Sequence, residues 1–243
     1  MRFSLLYFAA PILAGFSLVG CEPAADNQAD RPETSQEFPR AFRPVSETSG
    51  TEFSTEAKRD EAGEAKQVMD WAGIRPGTTV ADIGAGEGYY TVRLAERVGE
   101  EGRVLAQDIN RGALERLGRR IDKENWEKVS IKPGEIDDPK LPKASFDRIF
   151  MVHMYHEITE PYAFLWRMRP ALARGGEVIV VDRDRPTSRH GIPPKLLFCE
   201  FEAVGYKLKG FSERPKVGGY FARFELADTR PEPAKIKACA SDT

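Results

Sequence analysis

The sequence predicts an α/β protein: a three-layer αβα sandwich around a seven-stranded, mostly parallel sheet whose last strand runs antiparallel. Three observations carry that expectation. Short β-branched runs alternate with helix-length amphipathic segments from residue 79 onward. The run at 146–153 (FDRIFMVH) is almost continuously apolar, as a strand covered on both faces requires. The segment at 220–226 (YFARFEL) alternates after a turn-rich link at 215–219, the pattern of a strand returning beside its neighbour.

Each element has its own signal. Residues 55–71 carry Ala57, Glu61, Ala65, Val68 and Trp71 at roughly helical spacing, and Gly73 with Pro76-Gly77 stops them. Residues 79–83 (TVADI) form the first strand, a glycine loop follows, and a helix at 89–98 is closed by Gly99. A second strand is expected at 103–109, a helix at 112–121 and a third strand at 129–132. After the fourth strand comes a helix at 160–173, weakened by Pro170, whose Phe164, Leu165, Trp166 and Met168 read as core. Gly175-Gly176 punctuates before a fifth strand at 177–182. A helix at 194–204, in which Cys199 reads as buried, leads to strands at 205–211 and 220–226.

Composition narrows the function. The chain has 243 residues, 36 Lys+Arg against 38 Asp+Glu, 30% charged and 41% hydrophobic residues. That excludes collagen-like, coiled-coil and multi-pass membrane proteins. A formal net charge of −2 argues against nucleic-acid binding through overall basicity. Three cysteines are too few for a disulfide scaffold, and sequence alone cannot decide whether Cys199 and Cys239 pair.

The flanks read differently from the core. Arg2 precedes an uncharged apolar run at 3–20, a signal-peptide layout broken by Pro11. It ends in Leu18-Val19-Gly20-Cys21, which resembles the bacterial lipobox, where the cysteine is lipidated and becomes the mature N-terminus. The expected organisation is a signal at 1–20, a disordered tether at 21–54, one domain at 55–227 and a disordered tail at 228–243. The expected location is the cell envelope, lipid-anchored through Cys21 and facing the periplasm, or the cytoplasm if the signal is not processed.

The loop after the first strand selects the ligand. It reads Asp82-Ile83-Gly84-Ala85-Gly86-Glu87-Gly88-Tyr89-Tyr90. A dinucleotide fingerprint needs G-x-G-x-x-G, but Tyr89 stands at the third glycine position and Glu87 puts a negative charge where a pyrophosphate would sit. The spacing is G-x-G-x-G, preceded by an acid that suits a cationic ligand. Asp108 closes the second strand, where a carboxylate can accept both hydroxyls of a ribose.

With these residues the chain resembles the class I S-adenosylmethionine-dependent methyltransferases, over residues 55–227 and with the Rossmann-like fold of that family. The motifs are Val80 to Tyr90, Val104 to Asp108, Phe146-Asp147-Arg148-Ile149 running to Tyr155-His156-Glu157, and Leu172 to Glu177. The stretches MYHEI and GYFARFEL look like a bacterial subgroup of predicted methyltransferases, some of them exported. The resemblance implies S-adenosylmethionine as cofactor, with Gly84, Gly86 and Gly88 shaping the methionine side, Asp82 beneath it and Asp108 on the ribose. It implies Glu135 near the adenine, with Asp137 next to it, and His153 bordering the methyl end.

Methyl transfer is an in-line displacement in which positioning supplies most of the acceleration. A base is needed only where the acceptor must lose a proton. In His153-Met154-Tyr155-His156-Glu157, two readings stand side by side. His156 acts as base with Glu157 orienting it and Tyr155 lining the pocket, or His156 and Glu157 cap the next helix and Tyr155 packs in the core. The His153–His156 spacing lacks a clear third ligand, so no metal is expected. His190 reads as a solvated loop histidine on the same edge, and Arg116, Arg119 and Arg120 as a solvated helix face.

The expected function is methyl transfer to a small-molecule or envelope acceptor, with no obligate protein partner. A non-catalytic, membrane-tethered binding lipoprotein is the alternative, because the cofactor is made in the cytoplasm while the N-terminus argues for export. A resemblance to isoaspartyl-repair methyltransferases around Pro76-Gly77 and 98–102 is weaker, since their Thr/Ser motif is not visible ahead of the first strand.

Overall fold

Alternating β-branched and amphipathic segments give a sheet covered on both faces. The computed structural model describes residues 30–46, 55–214 and 218–240; the apolar run at 3–20 and Cys21 lie outside them. Residues 32–243 form one compact unit, and of the 31 residues before it Asp30 and Arg31 are described.

The elements are α1 (Glu56–Glu61), α2 (Glu64–Trp71), β1 (Thr79–Ile83), α3 (Tyr89–Val98), β2 (Arg103–Asp108), α4 (Arg111–Glu124) and β3 (Val129–Pro133). They continue with β4 (Phe146–Val152), α5 (Pro161–Met168), β5 (Leu172–Asp182), α6 (Pro194–Ala203), β6 (Tyr206–Arg214) and β7 (Gly219–Leu226). The sheet order is β3-β2-β1-β4-β5-β7-β6. β1 to β5 pair in parallel, and β7 inserts antiparallel between β5 and β6. The expected seven-stranded αβα sandwich is present. Strand order reverses between β1 and β4, and the carboxyl ends of these strands open a crevice there.

The two-residue repeat of each strand sorts its side chains between layers. Val80, Phe150, Ile179 and Val181 pack against α2 and α3, with Val68, Tyr90 and Leu94. Ala81, Ile149, Met151, Val178 and Val180 pack against α5 and α6, with Leu165, Leu197 and Phe201. By the same repeat Asp182 faces the second layer, a placement that matters below.

Four expectations differ from the structure. The helix expected at 55–71 is two, because Gly63 takes φ +64° and breaks it. The helix expected at 160–173 stops at Met168. Pro170 allows only a 3₁₀ turn, and β5 begins at Leu172 and runs through Gly175-Gly176. Cys199 is exposed on α6 and forms a disulfide with Cys239.

The fourth difference concerns the flanks. The segment expected as tether, 21–54, is packed over its described residues 32–46. Ser35 donates to Asp137 at 2.9 Å, the buried Phe38 meets Trp166 edge-on at 5.5 Å, and buried Arg43 pairs with Glu200 at 2.8 Å. In the tail expected as disordered, the Arg230 guanidinium lies 3.2 Å over the Trp166 ring and Ile236 and Cys239 are buried. Composition misjudged both because a few specific contacts, including a buried ion pair and a disulfide, replace the broad apolar face that a domain core needs. Among the described residues no helix is long and apolar enough to cross a membrane.

Candidate active site at the carboxyl edge of the sheet

The glycine loop joins β1 to α3, and its three glycines do three different things. Gly84 has φ +67°, and a Cβ there would stand 2.9 Å from Met154 Cγ, so the loop and the turn after β4 are in close contact. Gly86 has φ +55° and faces open space, with nothing within 4 Å of a Cβ. Gly88 has φ +89°, and a Cβ there would stand 2.4 Å from Leu117 Cδ1 of α4. Gly88 therefore serves helix packing, where the resemblance implied a pocket wall.

Asp108 ends β2 and is fixed by backbone: Gly86 N–H donates to Oδ2 at 2.8 Å and Asn110 N–H to Oδ1 at 2.8 Å. A carboxylate has about four acceptor sites, so roughly two remain for a ribose diol. Asp82 is the penultimate residue of β1, beneath the loop, 3% exposed, and accepts from Thr91 Oγ1 at 2.6 Å. Burial pushes its carboxyl up to about 7, against the Thr91 hydrogen bond. Ile109 and Ile136, after β2 and β3, are exposed large aliphatics, a signal the sequence reading passed over. They flank the edge where an adenine would lie beyond Asp108. Open space at Gly86, spare acceptors on Asp108 and these two apolar side chains fit an adenosine-bearing ligand.

Glu135 lies on the exposed loop after β3, paired with Lys140 at 2.7 Å. Its neighbour Asp137 is turned inward to Thr34, Ser35 and Arg167, so it ties the N-terminal segment down. His153 closes β4 with φ +55°, is 7% exposed, and sets Nε2 3.6 Å from Glu64 Oε1. Glu64 also takes Arg59 at 2.6 Å and the Tyr90 hydroxyl at 3.0 Å. Burial opposes its charge, but the His153 and Arg59 bonds prevail and bring its carboxyl down to about 2.

Tyr155 is fully buried, and its hydroxyl donates to Glu200 at 2.7 Å. It is a core residue, so the pocket-lining reading is corrected. His156 is fully buried too, and its Nδ1 lies 3.0 Å from both carboxylate oxygens of Asp182, at the end of β5. Glu157, expected to orient the imidazole, lies on the other side, Oε1 3.8 Å from Nε2. The orienting acid is Asp182, 26 residues along the chain from His156. A sequence signal existed: Asp108 and Asp182 each end a parallel strand, and Asp82 stands one residue before the end of another. Burial raises the Glu157 carboxyl; His156 lowers it, and the charges of Asp182 and Asp108 raise it further. His190 is half-buried with its ring edge-on to His156, centroids 5.8 Å apart, where a solvated loop residue was expected.

The same edge carries an open groove lined by Arg183, Arg185, Phe211 and Tyr220 among others, beyond the ends of β5 and β7. Asp184 and Glu213 line it as well, so two arginines and two acids stand beside two aromatic rings, a mixed polar wall with an apolar patch.

Comparisons with known proteins agree with this arrangement. A family model described as a methyltransferase domain matches residues 80–176, from β1 into β5. The ubiquinone/menaquinone biosynthesis C-methyltransferase UbiE of Teredinibacter turnerae is 31% identical over 123 residues, 50% of this chain and 49% of that one. The same enzyme of a Shewanella species is 29% identical over 155 residues, 63% of this chain and 57% of its own. The chain thus spans about half the length of these relatives. Among solved structures, a SAM-dependent methyltransferase from Aquifex aeolicus superposes with TM-score 0.62 at 22% identity, covering 71% of this chain and 98% of that one. The cyclase SpnF superposes at 0.57 with 15% identity, covering 72% and 68%. Residues 80–176 match a methyltransferase domain, and about 71% of the chain shares the fold of a SAM-dependent methyltransferase structure.

Proposed function

We propose that the protein is an S-adenosylmethionine-dependent methyltransferase acting on a small acceptor at the β4–β5–β7 edge. One observation carries this reading: the glycine loop and Asp108 are locked to each other by the Gly86–Asp108 hydrogen bond of 2.8 Å. They stand at the strand-order reversal of a domain that matches methyltransferases. When bound, the cofactor supplies a methyl group on a sulfonium, which is already a good leaving group.

The residues of this chain then have separable tasks. Asp108 and the Gly86 backbone hold the ribose side, and Ile109 and Ile136 cover the adenine. Asp82, buried under the loop, supplies negative charge beneath a cation. The groove with Arg183, Arg185, Phe211 and Tyr220 holds the acceptor. Asp182 accepts from Nδ1–H of His156, which leaves the lone pair on Nε2, the ring nitrogen on the far side from Asp182. The relatives named above are C-methyltransferases, which favours carbon as the methylated atom. The SpnF likeness is a reminder that the fold alone does not fix the reaction.

The disulfide Cys199–Cys239 and the apolar N-terminal run both favour an oxidising compartment and export, with lipidation at Cys21. The mass of the mature N-terminus tests the anchor: an acylated Cys21 supports it and a retained Met1 refutes it. Calorimetry of the folded chain with S-adenosylhomocysteine tests the cofactor. Binding by the wild type that weakens in Asp108→Ala supports the reading, and no binding beside a working control defeats it.

A further inference from the structure

Two buried imidazole nitrogens, Nε2 of His156 and Nδ1 of His190, have no hydrogen-bond partner among the described residues. The interior normally pairs such groups, and an unpaired one calls for an explanation such as an ion. A third donor stands beside them. One ligand atom each from His156, Glu157 and His190 lies within 4.8 Å of the others. We propose that these three residues form a binding site for a divalent first-row transition ion.

The donor set argues for the class of ion. Two neutral imidazoles and one carboxylate suit zinc or ferrous iron, and hard oxygen-seeking ions such as magnesium prefer other ligands. Donors around a tetrahedral zinc at about 2.0–2.1 Å stand about 3.3 Å apart. The donors lie within 4.8 Å of one another, so closing on an ion brings each pair at most about 1.5 Å nearer.

The surroundings are also those of a metal ligand. A metal-bound histidine commonly donates its other ring N–H to a carboxylate, which fixes its tautomer. Asp182 does this for His156, at 3.0 Å and fully buried. Both halves of the site are held from behind by the N-terminal segment. Arg43 Nη1 donates to the His156 carbonyl at 3.0 Å, and Ser46 Oγ accepts from the His190 N–H at 2.9 Å. His190 itself takes φ +51°, a conformation that costs a non-glycine residue energy and here turns its ring onto His156. The ligand set is not the H-x-x-H pair of the sequence: His153 lies on the other side, against Glu64.

Only the role of the ion, to hold an acceptor oxygen beside the methyl donor, rests on the proposed methyl transfer. Ion binding does not, and the two are tested apart. The full chain, stripped with a chelator, is titrated with ZnCl₂ in the absence of cofactor, and with Co²⁺ as a visible-absorption probe. One equivalent is expected to bind, with the cobalt bands of an N/O site. His190→Ala and Glu157→Gln, both on half-buried positions, are expected to weaken binding more than tenfold while S-adenosylhomocysteine binding and the circular dichroism spectrum persist. Asp182→Asn is expected to weaken it about 10–100-fold. Absence of stoichiometric binding in a correctly folded wild-type chain overturns the proposal. So does binding that His190→Ala and Glu157→Gln leave unchanged. Zinc binding without cofactor binding would overturn the methyl-transfer reading and leave the ion site standing.

Discussion

Arg43 donates to the backbone carbonyl of His156 at 3.0 Å while its Nε pairs with Glu200 at 2.8 Å. A residue from a segment that reads as linker thus holds the turn carrying the central histidine of the site. The same guanidinium reaches the Ile158 carbonyl at 3.1 Å.

Removing Arg43 leaves the Glu200 carboxylate buried without its counter-charge, held by the Tyr155 hydroxyl. Breaking a buried pair in this way costs about 3–5 kcal/mol. Arg43→Ala is expected to lose stability of that order in urea denaturation. A fragment starting at residue 50 is expected to show the same loss, whereas one starting at residue 30 keeps full stability.

Asp108→Ala removes the acceptor for Gly86 and Asn110 N–H and the carboxylate facing the ribose. Hydrogen bonds to charged groups contribute about 1.5–3 kcal/mol. Calorimetry is expected to show cofactor affinity falling at least tenfold, with the melting temperature of the free protein changed little by comparison.

Glu64 makes stability acid-sensitive. Its carboxyl sits near 2 in the fold against an ordinary 4.5, because His153 and Arg59 favour the charged form more than burial penalises it. The stabilisation is fully present above pH 4.5 and drains away as pH falls through 2. A shift of this size is worth about 3 kcal/mol. Glu64→Gln is expected to be less stable at neutral pH and to show a flatter stability profile between pH 5 and 2, read by denaturation at fixed pH steps.

Asp82 works in the opposite direction. Burial raises it to about 7, so the free protein holds a proton there at mildly acid pH and loses stability as pH rises from 3.8 through 7. A cationic ligand above it favours the carboxylate. Cofactor affinity is therefore expected to rise with pH up to about 7 and then level, with proton release visible when binding heats are compared in two buffers. Asp82→Asn is expected to abolish that release.

The Cys199–Cys239 disulfide ties the C-terminal segment to α6 across 40 residues. Such a closure is worth about 2–4 kcal/mol. Reductant, or Cys239→Ser, is expected to lower the melting temperature, and the two treatments together are expected to do no more than either alone.

The elements with strong local signals were legible in the sequence. β1 and α3 fall on the expected residues, since TVADI and the helix before Gly99 are bounded by glycine and proline. The start of β5 was not, because Pro170 and Gly175-Gly176 read as breakers while the chain there pairs with β4 through Leu172 and Glu177. That the glycine loop and Asp108 stand together was legible because they sit on one loop and one strand end of adjacent strands. The His156–Asp182 pair was hidden because the sheet, and not the chain, brings its members together. Arg43 and Ser46 were hidden for a stronger reason: composition measures average burial, and these residues act through single well-placed hydrogen bonds.

The N-terminal segment also sets how the molecule answers force. Residues 32–46 cross the α5–α6 layer and end on the two turns that carry His156 and His190. A pull on residue 32 meets the Thr34 and Ser35 hydrogen bonds to Asp137 and the Phe38–Trp166 contact first, and Arg43 and Ser46 after them. The histidine turns are the last of these points to feel such a pull, sheltered by the contacts ahead of them.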